Sequence, residues 1–224
     1  VNLSAYIIVR YSNGITATTP QNAVQLQGFI DSNDVHVAVI EKLNPAGTGQ
    51  DVPVDAALQV KADAFYCPDY NISNAFYFNG NDALVLAKGS IDDIDNAEIV
   101  DVFGKIGEDP VGGWTNIASA GFVSSGYSWT ENHTLIRKST TLIGDTDPLD
   151  LFNVGLEWDS LPINTYSNLG FHNCNCVTTS PTSWNCNFNG CYDPGNGQGT
   201  YNSLSACNSA CSLVSGCTDS LASN

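Results

Sequence analysis

Apolar residues along this chain recur at every second position, in short runs broken by glycine, asparagine, aspartate and serine. Ala5 to Tyr11 alternates, with Ile7, Val9 and Tyr11 on one face, and meets Asn13-Gly14, a turn-forming dipeptide. Further strands are predicted over Gln25–Ile30, Val35–Ile40, Ala75–Phe78, Ala83–Lys88, Glu98–Phe103 and Thr134–Lys138. In the third of these, Val35, Val37 and Val39 point inward and His36 outward; in Ala83–Lys88, Leu84 and Leu86 share a face. Helical spacing is absent before residue 200, and Ser203–Cys211 is the one short helix expected, with Ser203 as its N-cap. Residues 44–74, 105–130 and 139–155 read as loops and Asp92–Asn96 as a polar turn. Many short strands separated by turn signals give an all-β class, a sandwich or barrel.

The cysteines change this picture at the C-terminal end. Of eight, only Cys67 precedes residue 174; Cys174, Cys176, Cys186, Cys191, Cys207, Cys211 and Cys217 crowd the last quarter, and no Lys or Arg follows Lys138. A segment so small and polar cannot bury a core and needs covalent staples. The expected organisation is therefore a β-domain over 1–172, a disulfide module over 173–214 and the start of a further unit over 215–224. Thiolate ligation of zinc by Cys174-Asn175-Cys176 or Cys207–Cys211 is the rival reading, disfavoured because no Cys-x-x-Cys pair occurs. Cys186, Cys191, Cys207 and Cys211 are expected to form two bridges that tie the helix to a preceding hairpin. Cys67 is expected to reach Cys174 or Cys176, and Cys217 to take the remaining partner or one beyond the end of this sequence.

A net charge of -16, from 23 acidic and 7 basic residues, excludes a basic surface for nucleic acid or anionic membrane. No apolar run reaches the roughly 20 residues that span a bilayer. The chain opens on strand-like sequence with no leader, as a mature or trimmed extracellular fragment would.

Four segments taken in order carry a family resemblance. Phe78-Asn79-Gly80-Asn81-Asp82-Ala83-Leu84-Val85-Leu86 is followed by Glu98-Ile99-Val100-Asp101-Val102-Phe103-Gly104. Then come Trp114 with Asn132-His133-Thr134-Leu135-Ile136-Arg137-Lys138, and finally Glu157-Trp158 with Tyr166-Ser167-Asn168-Leu169-Gly170. Together they resemble the lamin-tail-like domains of secreted bacterial proteins. The resemblance implies an immunoglobulin-like β-sandwich, non-catalytic, belonging to a larger surface or secreted protein, some of which are nucleases. Asn2-Leu3-Ser4-Ala5-Tyr6 resembles the family's second element, so a leading strand is expected to be missing and one sheet edge open. The tail, through Ser183-Trp184-Asn185-Cys186, Gly190-Cys191-Tyr192-Asp193-Pro194-Gly195 and Gly216-Cys217-Thr218-Asp219, resembles a small repeated cysteine module of surface proteins from Bacteroidota-like bacteria.

Candidate chemistry is sparse. Asp101, inside an apolar strand, is expected to pair with Arg137 or accept backbone amides. Asp145, Asp147 and Asp150 form an acidic loop that is either a calcium candidate, the only cofactor the sequence raises, or a solvated turn; Asp92, Asp93 and Asp95 form a similar run. His36, His133 and His172 stand apart from any nucleophile, and no catalytic residue is assigned. Asn2, Asn71 and Asn132 head Asn-x-Ser/Thr sequons, and Ser160 and Ser220 sit in Asp-Ser-apolar O-glycosylation motifs. Tyr127, Trp129 and Trp184 are candidate contacts to a protein or polysaccharide.

The function expected from all this is an extracellular, cell-surface structural or interaction module in adhesion or filament assembly. Self-assembly through an open sheet edge is expected as a partner mode. The alternative is an accessory domain of a secreted nuclease or other hydrolase whose catalytic domain lies elsewhere.

Overall fold

The computed structural model of the chain describes residues 1–116, 128–173, 183–187, 190–194 and 198–211. It divides into a unit over Val1–Asn175 and a second over Cys176–Asn224. The described residues are mostly β, in small sheets with few helices.

In the first unit the elements are β1 (Tyr6–Tyr11), β2 (Ala23–Gln25), β3 (Ala38–Ile40), α1 (Ala56–Gln59), β4 (Ala64–Tyr66), β5 (Ala83–Lys88), β6 (Glu98–Phe103), β7 (His133–Arg137), α2 (Val154–Glu157) and β8 (Trp158–Pro162). The main sheet has the order β2-β1-β5-β6, every pair antiparallel. Two smaller sheets accompany it, a parallel β3–β4 pair and an antiparallel β7–β8 pair.

The register of the main sheet explains its burial. Ile7 lies opposite Ala87, and Val9 opposite both Val85 and Ala23. With Val102 these residues form one buried cluster, onto which Tyr11, Ile91, Ile94 and Ile99 pack. The opposite face is also apolar. Ile8 lies opposite Leu86, and Leu84 opposite Phe103. Ile8 and Leu86, with Tyr6 and Val24, pack against a second cluster built on Leu3, Leu26, Tyr66, Cys67 and Ala75. A bulge in β6 sets the phase. The pairing shifts from Leu86↔Asp101 to Ala87↔Ile99, so Val100 is the extra residue and Asp101 joins the Leu86 face.

Strands β5 and β6 coincide with their expected spans, and β1 and β7 fall within a residue of them. Three expectations are corrected. Ala75–Phe78 is irregular rather than extended, because Asn74 and Ala75 are buried in a turn closed by Tyr77 N donating to Asn74 O. The second strand ends at Gln25. Residues 28–30 pair instead with the N-terminus, Leu3 N donating to Gly28 O and Ile30 N to Val1 O, both at 3.0 Å. The segment 44–74, read as loop and without a helix, holds α1 and β4, too short at four and three residues to show a helical period or a period of two.

The second unit contains β9 (Asn185–Asn187), β10 (Gly190–Tyr192) and α3 (Leu204–Cys211). Ser203 caps α3 as expected: its Oγ accepts from Ala206 N at 3.1 Å. Cys186 and Cys191 sit directly opposite one another in the β9–β10 hairpin. Each reaches the helix, Cys186 bonding Cys211 and Cys191 bonding Cys207. The two helix cysteines are four residues apart and so share a face. Cys207 is fully buried, and the hairpin and helix are stapled together rather than assembled on a core. These disulfides fit an oxidising, extracellular environment. Among the described residues no helix is long and apolar enough to cross a membrane.

Candidate functional site

Among the described residues, the concave feature of the first unit with the most apolar lining is a trough of about 520 Å³. Its floor is the Leu86 face of the main sheet, with Tyr6 and Ile8 from β1, Leu84 and Leu86 from β5, and Phe103 from β6. Ala38 of β3 lines it, as do His36 just before that strand and Trp158 of β8. Val1 and Phe78, 68% and 50% exposed, also line it and leave it open to solvent.

Sequence periodicity places these side chains. Alternation in β1 sends Ile7 and Val9 to the closed cluster and Tyr6 and Ile8 to the trough. In β5 it divides Val85 and Ala87 from Leu84 and Leu86 in the same way. The expectation that Leu84 and Leu86 share a face is met, and that face is the open one. His36 corrects its outward assignment: it is half-buried, and its Nε2 lies 3.1 Å from the Tyr66 hydroxyl.

The trough's one carboxylate is already engaged. Arg137 donates from Nη1 to Asp101 Oδ2 and from Nη2 to Glu157 Oε2 at 2.6 Å, and Asp145 N donates to Asp101 Oδ1 at 2.8 Å. The guanidinium also lies 5.1 Å from the Trp158 ring centroid, a cation–π contact. Both partners expected for Asp101 are thus present. The indole N–H of Trp158 is buried without a hydrogen-bond partner.

Behind this wall runs an aromatic ladder, Trp114–Phe152–Phe103–Trp158, with edge-on contacts of 5.2, 5.1 and 5.5 Å between ring centroids. Gly104 makes room for it. A Cβ there would come within 2.9 Å of the Trp114 ring, and its φ of +89° suits only glycine.

The sequence reading did not pair Asp82 with Arg10. Asp82 is 2% exposed and Arg10 8%, and Arg10 Nε donates to Asp82 Oδ2 at 2.8 Å. Asn13 N donates to the other oxygen, and Trp114 Nε1 to the Asp82 carbonyl. The available signal was Arg10 at the end of a fully apolar strand, a position no solvated arginine takes. Gln25 was also passed over. Its Nε2 donates to the carbonyls of Ser4, Tyr6 and Gly89, while Oε1 accepts from Ile91 N.

The remaining candidates fall as follows. Cys67 makes no disulfide, which corrects the expected bridge to Cys174 or Cys176. It is buried in the second cluster with Sγ 3.2 Å from Ser73 Oγ. Asp145 and Asp147 spend an oxygen each on local backbone, accepting from Asp147 N and Leu149 N. Asp150 lies close enough to feel both. Burial and the neighbouring Asp145 and Asp147 charges raise its pKa, against a lowering by Lys105. The three do not converge as a metal centre. Among the described residues, the group tight enough to share an ion is Cys191, Cys207 and Cys211, all held in disulfides.

Asn2, Asn71 and Asn132 are exposed, although Asn2 Oδ1 caps Ser4 N. Ser160 is half-buried and its Oγ donates to Trp129 O. Trp129 and Trp184 are half-buried, Trp184 bridging Tyr201 through paired backbone hydrogen bonds of 2.8 and 2.9 Å. His133 is exposed at the start of β7, with Nδ1 2.6 Å from Glu131 O, and His172 is exposed outside any element. Tyr127, Cys174, Cys176, Cys217 and Ser220 lie outside the described residues.

No family model, no curated protein and no solved structure matches this chain.

Proposed function

We propose that this chain is a non-catalytic extracellular interaction module: an immunoglobulin-like, lamin-tail-like sandwich with a disulfide-stapled appendage, part of a surface protein that adheres or assembles. The observation that carries the reading is the apolar trough of the first unit. It is floored by apolar side chains, and its one carboxylate is neutralised by Arg137. A site built to turn over substrate needs a titratable group free to move a proton; a site built to hold a partner needs desolvated apolar area. The sandwich reading is supported by the doubly apolar main sheet, with the β3–β4 and β7–β8 pairs as pieces of a second layer. Protein fits better than polysaccharide as the partner, because the trough offers few polar groups to sugar hydroxyls.

The test is a screen of the purified chain against chromogenic esters, glycosides, peptides and DNA, run beside titration with an apolar dye such as anilinonaphthalene sulfonate. Saturable dye fluorescence with the native chain and no turnover is the expected result. Turnover of any substrate that survives repurification overturns the reading.

A further inference from the structure

We propose that the trough is the receptor site for an extended, cation-flanked β-strand of another protein, which completes the layer over the Leu86 face of the main sheet. The inference rests on the interaction-module reading and specifies the ligand.

Three observations select a strand. First, the trough is lined by β3 at Ala38 and by β8 at Trp158, and each of these strands belongs to a two-stranded sheet. Among the described residues β3 pairs only with β4 and β8 only with β7, so each keeps an edge with no strand against it. Such edges present unpaired backbone donors and acceptors, which an added strand satisfies and a helix or a lipid chain does not. Second, the floor is a pleated surface with side chains at Ile8, Leu84, Leu86 and Phe103. A strand lying over it sends every second side chain down onto that surface and the others to solvent. Third, the rim is apolar and half-exposed at Phe78, so apolar area remains there for an occupant to cover.

Charge selects the flanks and argues against a second copy of this chain. The whole chain carries -16. Asp34 and Asp63 line the cleft that adjoins the trough at His36, and each spends one oxygen on a backbone N–H of the β3 approach, Val35 N and Val37 N. Arg10, Lys42 and Arg137 are consumed by internal carboxylates. Two such acidic chains repel, whereas lysine or arginine beside an apolar strand is attracted.

The probe is a lysine-flanked peptide of alternating valine and threonine, about nine residues long. It is titrated into the intact chain and followed by calorimetry and tryptophan fluorescence, for which Trp158 is the local reporter. Saturable one-to-one binding is expected. Replacing the central valine with proline removes a backbone donor and kinks the strand, and is expected to weaken binding at least about tenfold, as is replacing the lysines with glutamate. Phe78→Ser, which removes apolar area at a half-exposed rim position without adding charge, is expected to weaken binding. Val60→Asp, at a position outside the trough, leaves it unchanged.

No binding overturns the proposal. Equal binding of the proline peptide overturns it in favour of a generic apolar ligand. A chain that dimerises, and becomes monomeric on Phe78→Ser, overturns it in favour of a second copy. None of these outcomes produces turnover, so the non-catalytic reading is judged separately by the substrate screen.

Discussion

Asp82 and Arg10 show most directly how single residues support this fold. Their ion pair is enclosed, and Asn13 N and Asn74 O complete its hydrogen bonds. Removing one partner leaves a buried charge, so Asp82→Ala is expected to cost about 3–5 kcal/mol. The paired change Arg10→Met with Asp82→Leu costs less than either single change; urea unfolding of the three variants checks the order. Gln25→Ala removes the side-chain bonds to Ser4 O, Gly89 O and Ile91 N, while Tyr6 O keeps Leu26 N as a donor, and is expected to cost about 1–3 kcal/mol by the same measurement.

Asp150 tests the acidic loop. Its pKa is raised, so the fold binds that proton more tightly than the unfolded chain does. That contribution is full at low pH and lost as Asp150 ionises. Asp150→Asn should therefore raise the urea midpoint at pH 7 and leave it unchanged at pH 3. Tyr11 and Tyr166 carry raised pKa values through burial, with Asp95 and Asp55 adding to it and a Thr18 hydrogen bond opposing at Tyr11. Lys42 is also raised: burial lowers it, and contacts with Asp51 and Tyr77 outweigh that. All three hold protons more tightly when folded, so stability is expected to stay level to about pH 10 and fall above it. A rise above pH 10 would contradict the assignment.

Among the elements, those with long alternation declared themselves. β1 and β5 each carry six residues of strand, and their faces could be assigned before the fold was known, whereas in β6 the bulge at Val100 interrupts the alternation. What alternation could not say is that both faces of β5 are apolar and that only the Val85 face is closed. That depends on which elements land above the sheet, a property of contacts distant in sequence. β3 and β4 escaped for a simpler reason: three residues cannot display a period. The Arg137–Asp101 pair was legible because a carboxylate in an apolar strand must find a partner, and Arg137 lies in a strand of matching character. Cys67 was misassigned because spacing cannot separate a structural thiol from half of a disulfide; burial beside Ser73 decides it. Peptide mapping should find Cys67 alkylated only after unfolding.

In the second unit the hairpin and α3 depend on covalent links. Cys191→Ser with Cys207→Ser opens a loop closed over a sequence separation of 16 and is expected to remove about 3 kcal/mol. Loss of helical protection over 204–211 in hydrogen exchange would register it, while the first unit keeps its melting temperature. A drop in the first unit's stability would mean that it draws on the appendage for its own fold.

For the molecule as a whole, acidity, disulfides and an open apolar trough converge on one use. The disulfides fit an oxidising environment, like charge opposes self-association, and the trough lies where, among the described residues, two short sheets keep edges with no strand against them. The charge that keeps copies apart also sets the partner's sign, so binding of the lysine-flanked peptide should weaken as salt rises. Hydrogen exchange of the intact chain with and without that peptide tests the account most directly. Amides of β3 and β8 are expected to gain protection together when the peptide is present, with β1 and β5 protected throughout. Protection gained elsewhere, or none at β3 and β8 under saturating peptide, would contradict it.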